Sequence, residues 1–146
     1  MNLWLPWALL PVVWYAAYVD FRTHKIPNRL VYPALILFGG VQMAIQPHRG
    51  PFLVGMVAGF LFFFLPSLIL GAKFVGMGDA KLAALMGVTL GWPGILLAIL
   101  ISQFTALVIA APLLLLKRLT WKSSLPLGPF LAVGYTLVLV GVHLWI

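Results

Sequence analysis

The chain has 146 residues, of which 64% are hydrophobic and 8% charged, with a net charge of +7. Soluble domains run at about 45–50% apolar and about 25% charged, so this composition excludes a water-soluble enzyme or binding module and indicates an integral membrane protein. There is no cysteine and no glutamate, which removes disulfides, thiol nucleophiles, Cys-ligated metals and HExxH zinc chemistry.

The start, Met1-Asn2-Leu3-Trp4, has no basic n-region and no small-residue cleavage site, so it reads as a first span rather than a removable signal. That span covers 3–19 and ends at Asp20. A basic loop follows, with Arg22, Lys25 and Arg29 around Pro27 and Asn28, residues that suit a turn or a helix start. The second span is 30–45 and the third 52–70, where Pro66 is expected to introduce a kink. A short fourth segment, 79–90, opens on Asp79 and closes on the turn signal Gly91-Trp92-Pro93-Gly94. The fifth is 95–116 and the sixth 129–146. All must be helical, because a lipid-facing loop or open strand leaves backbone groups unpaired. The expected fold is all-α: one polytopic domain, 1–146, formed by a bundle of six transmembrane helices.

Eight of the nine Lys and Arg residues fall in odd-numbered loops or just beyond them, leaving only Arg49 on the other side. The positive-inside rule then makes those loops cytoplasmic and puts both termini outside. An excess of this size suggests nucleic acid in a soluble protein; here it sets orientation, and no nucleic-acid partner is expected.

Asp20 and Asp79 are the two acidic residues of the chain. A carboxylate at a membrane edge costs about 2.5–3.5 kcal/mol on insertion scales and marks a functional site by default. Both fall at the cytoplasmic face in this topology, and two carboxyl groups at one depth are the minimal equipment of an aspartyl hydrolase. Gly76 and Gly78 flank Met77 just before Asp79 and permit tight turns and close approach to its carboxylate.

Three stretches carry a resemblance to a known family: Asp20 with Ile26-Pro27-Asn28 beginning six residues later, Gly76–Leu82 as GMGDAKL, and Pro126-Leu127-Gly128-Pro129-Phe130 near the end. The chain resembles a type IV prepilin peptidase, a member of the GxGD class of membrane aspartyl proteases. Leu127 stands where the family's PFGPF segment has Phe. The presenilin branch of the class expects a Tyr-Asp pair within a helix, whereas Asp20 follows Val19. Long members add an amino-terminal cytoplasmic segment with paired cysteines, associated with methyl transfer. Neither occurs here, so the resemblance implies peptidase activity without methyltransferase activity.

The resemblance implies Asp20 and Asp79 as catalytic residues, supported by Gly76, Gly78, Lys81, Pro27 and Asn28, with no cofactor and no metal. The implied substrate is a prepilin or pseudopilin of a pilus or secretion system, cut after the Gly that ends a short basic leader. The implied location is the bacterial cytoplasmic membrane, with the lipid bilayer as the other partner; the oligomeric state is left open. The basic loops here would repel a basic leader, and they equally suit anionic lipid headgroups. Helix dipoles favour Asp79 as the base and Asp20 as the acid, by about 0.3–1 kcal/mol at exposed sites, which burial can reverse.

Two other functions compete. A proton-coupled transporter would place its carboxylates near the bilayer midplane, with broken helices in repeat-related positions. A non-catalytic assembly factor would tolerate Asp20→Asn. His24, His48 and His143 lie in separate loops or at the carboxyl terminus and do not converge as metal ligands must. Lys81 serves either the surroundings of Asp79, the substrate, or the interface by snorkelling. Gly55/Gly59 and Gly87/Gly91 form GxxxG pairs expected at close helix contacts, and Gln42, Gln103 and Thr105 are expected to bridge helices. Trp4, Trp92, Trp121 and Trp145 are expected as interfacial anchors.

Overall fold

A computed structural model describes residues 4–71, 75–120 and 125–145, with no account of the Trp145 side chain. Lys73, Trp121, Lys122 and Ile146 lie outside the described residues. Six helices follow in order: α1 Trp4–Thr23, α2 Asn28–Ile45, α3 Gly50–Leu70, α4 Met77–Leu90, α5 Gly94–Leu115 and α6 Gly128–Trp145. Among the described residues all regular structure is helical, as the hydropathy pattern requires.

The largest departure from the sequence reading is at the end of α1. The helix runs four residues past Val19, so Asp20 lies inside it rather than after it. Hydropathy falls at Asp20, but the helix stops only where His24 adopts a left-handed φ of 53°. There the His24 N–H donates to the Asp20 carbonyl at 2.7 Å, and the Thr23 hydroxyl bonds the Val19 and Lys25 carbonyls. Pro27 then disfavours helical geometry at Ile26 and becomes the N-cap of α2, with φ −71°. The reversal is tight, so the end of α1 and the start of α2 stay adjacent.

Three helices, α2, α3 and α5, are long and apolar enough to cross a membrane. The six-span expectation is not met helix by helix, and for α4 the physical reason is plain. Its 14 residues rise about 21 Å at 1.5 Å per residue, short of a hydrocarbon core about 30 Å thick. Nearly all of it is enclosed: Asp79, Ala80 and every residue from Leu82 to Thr89 are buried. It packs against all five other helices, which carry the outward apolar surface, including Ile36, Ile69, Phe104 and Leu115.

Apolar burial does little to drive helix association in lipid; close backbone approach does more. The α3–α4 contact is of this kind. A Cβ built on Gly55 would lie 2.6 Å from the Gly87 carbonyl oxygen, and one on Gly59 would lie 2.5 Å from that of Ala83. The GxxxG glycines therefore mark packing within the bundle, as expected. The order of these pairs also makes α3 and α4 antiparallel. Thr105 does otherwise than expected: its hydroxyl returns to the Ile101 carbonyl of its own helix. Pro66 sits inside α3 without interrupting it.

At one end of the bundle, Tyr135 of α6 is fully buried. Its hydroxyl donates to the Pro6 carbonyl of α1 at 3.0 Å and pairs with the Thr89 hydroxyl of α4 at 2.9 Å. Pro6 opens α1 and Thr89 closes α4, so this tie lies at the end opposite Asp20 and Asp79.

Candidate active site

The ends of α1, α2, α4 and α6 meet at the other rim, and each of the three motifs supplies one side of the site. Asp20, in the last turn of α1, is 5% exposed, and Asp79, in the first turn of α4, is 8% exposed. The two carboxyl groups are close enough for the Asp20 charge to act on Asp79. Fifty-eight intervening residues are thus folded back to bring the two acids within electrostatic reach of one another.

Gly76 is the N-cap of α4. A Cβ there would stand 3.1 Å from Oδ2 of Asp79, and one on Gly78 would stand 2.9 Å from the Cβ of Ile26. Both glycines of GMGDAKL thus have a physical purpose: Gly76 leaves room beside the carboxylate, and Gly78 lets the Ile26-Pro27-Asn28 turn lie directly on the helix start. Pro27 shapes that turn, and Asn28 begins α2. The Lys81 ammonium donates to Oδ1 of Asn28 at 3.0 Å and lies 4.9 Å from the centre of the Tyr32 ring. Lys81 is thereby engaged with α2 rather than snorkelling free, and it ties the second motif to the first.

The third motif closes the site from α6. The Gly128 N–H donates to Oδ2 of Asp20 at 2.8 Å across 108 positions of sequence. Sequence reasoning quoted Pro126–Phe130 and Ile26-Pro27-Asn28 for the resemblance but gave Gly128 and Ile26 no role, and it missed Tyr32. The glycine at the helix start was the available signal.

Chemically, the site offers two buried carboxyl groups, one with a backbone donor, while the nearby Lys81 side chain is engaged by Asn28 and Tyr32. It suits water activation by a shared-proton pair, since two nearby like charges do not both ionise cheaply. Among the described residues no three His, Cys, Asp or Glu side chains form a group able to hold a metal ion.

The model of the type IV leader peptidase family matches residues 7–111. A "Prepilin leader peptidase/N-methyltransferase" of Dickeya chrysanthemi is 33% identical over 131 residues, covering 85% of this chain and 46% of its own. Proteins of the same name from Pseudomonas putida and Aeromonas salmonicida (strain A449) are 29% identical over 142 residues and 27% over 137. Those alignments cover 91% and 89% of this chain, and 49% and 45% of theirs. The chain spans about half the length of these curated relatives. No solved structure matches it.

Proposed function

The chain belongs to the type IV leader peptidase family, and we propose that it is a membrane aspartyl endopeptidase with Asp20 and Asp79 as its catalytic pair. The proposed substrates are prepilins or prepilin-like proteins, from which it removes a short basic leader preceding a hydrophobic helix. The observation that carries this reading is the convergence of all three motifs on the two carboxyl groups of the chain. The peptidase half of the relatives' names is the half assigned to these residues; methyl transfer is assigned to none of them.

In the proposed reaction the pair shares one proton and holds a water. The ionised carboxylate takes a proton from that water as its oxygen attacks the scissile carbonyl. The protonated partner hydrogen-bonds the carbonyl oxygen as it gains charge, and a proton then passes to the leaving amine as the C–N bond breaks. The substrate helix lies in the bilayer beside the bundle while its leader crosses the rim where the acids sit.

The six helices are proposed to act as one catalytic domain crossing the membrane as a bundle. The acids face the cytoplasm, and both ends of the chain lie on the other side. Arg22, Lys25, Arg29, Lys81, Lys117 and Arg118 gather toward the end of the bundle that carries the acids, while Arg49 caps α3 at the opposite end, which supports that orientation.

The deciding measurement is cleavage of a prepilin-type peptide by the purified chain in lipid vesicles. Asp20→Asn and Asp79→Asn are each expected to lower the rate about 10²–10⁴-fold, the range for loss of a general acid or base, with normal membrane insertion. An active Asp79→Asn variant would refute the pair.

A further inference from the structure

The inference rests on the peptidase reading and concerns the division of labour within the pair. We propose that Gly128 is the positioning residue of the dyad: its backbone N–H fixes Asp20 as the negatively charged member and leaves the proton on Asp79. Asp20 is then the base and Asp79 the acid, the reverse of what the dipoles of α1 and α4 alone favour.

Three observations carry it. First, Gly128 N donates to Oδ2 of Asp20 at 2.8 Å, whereas among the described residues none donates to the Asp79 carboxyl group. A hydrogen bond to an ionised acceptor is roughly twice as strong as a neutral one, so this asymmetry draws the charge to Asp20. Second, Gly128 is the first residue of α6, where helix N–H groups have no intrahelical partner and the positive end of the helix dipole lies. Asp20 gains this dipole as well as opposing that of its own helix. Third, the approach admits no side chain: a Cβ at position 128 would lie 2.7 Å from Oδ2, 2.9 Å from Cβ and 3.1 Å from Cγ of Asp20. The Asp20 Cβ is anchored to a packed helix and cannot swing aside as a long flexible side chain would. The neighbouring titratable groups that act on this pair are His24, one turn beyond Asp20, on Asp20, and Asp20 on Asp79.

Chemical labelling separates the two protonation states without relying on turnover. Dicyclohexylcarbodiimide modifies protonated carboxyl groups in apolar surroundings, and peptide mass mapping locates the adduct. In the full chain in vesicles at neutral pH, the adduct is expected on Asp79 over Asp20 by about tenfold or more, a ratio equivalent to about 1.4 kcal/mol. Gly128→Ala should bring that ratio toward one and lower kcat by about tenfold or more, with KM within about twofold. Gly134→Ala is the control: its Cβ would press on the Ala98 carbonyl and Ser102 hydroxyl of α5, so it should lower thermal stability without moving the ratio. Preferential labelling of Asp20 in the wild type overturns the assignment, whether or not Gly128→Ala folds. So does an unchanged ratio in folded Gly128→Ala, or an equal change in Gly134→Ala. If the wild type labels selectively at Asp79 but cleaves no prepilin-type peptide, the peptidase reading fails and the protonation assignment stands.

Discussion

Asn28 and Lys81 start from different helices and meet through one hydrogen bond, with Tyr32 beneath the ammonium. The contact is partly solvated, so it is expected to contribute about 0.5–1.5 kcal/mol. Lys81→Met and Asn28→Ala should each slow cleavage several-fold, about what 1 kcal/mol allows. The double variant should be little worse than either one, and a double-mutant cycle on cleavage rate reads that coupling directly. An additive result would mean that Lys81 acts on the substrate and not through Asn28. At this scale the acids were legible in the sequence because acidic residues are so scarce that each had to be justified. Gly128 was visible as a glycine at a helix start, but its contribution was not legible. A backbone N–H has no side-chain signature, and its partner lies 108 positions away in sequence. Lys81 was visible as a candidate, but its partner on α2 depends on how the α1–α2 reversal places Asn28, which only the packed structure shows.

Helix-to-helix contact in this bundle is set by glycine. The Gly55 and Gly87 backbones touch directly, so a methyl group at either position meets main chain that cannot yield. Gly87→Ala is expected to destabilise the protein by about 1–3 kcal/mol, the range for overpacking. Gly40→Ala, in α2 with nothing within 4 Å of the added carbon, should be neutral or stabilise by up to about 1 kcal/mol through backbone entropy. Thermal unfolding of the two variants in the same detergent compares them. The spacing of the GxxxG pairs made this contact readable in advance. The true end of α1 was not readable, because apolarity falls at Asp20 while the backbone remains helical until His24 turns left-handed. Hydropathy reports where lipid ends, and hydrogen bonding reports where the helix ends. Here the two differ by about one turn, and Asp20 occupies that turn.

For the molecule as a whole, hydropathy gave the number of helices correctly but not how each relates to the bilayer. A buried helix need be neither long nor strongly apolar, so α4 escapes the criteria that α2, α3 and α5 satisfy. The absence of cysteine offers a clean test of the proposed orientation. A single cysteine at Lys25 should react with an impermeant thiol reagent only after the inner face is exposed, and one at His48 should react from outside; the opposite pattern would invert the topology. Tyr135→Phe should destabilise the fold by about 1–3 kcal/mol, since it removes a buried hydroxyl that donates to the Pro6 carbonyl and pairs with the Thr89 hydroxyl, and chemical denaturation would read the loss. That hydroxyl joins α1, α4 and α6, the same three helices that bring Asp20, Asp79 and Gly128 together. Because the join lies at the remote end, it holds those three helices to one another without occupying any of the rim where the acids sit.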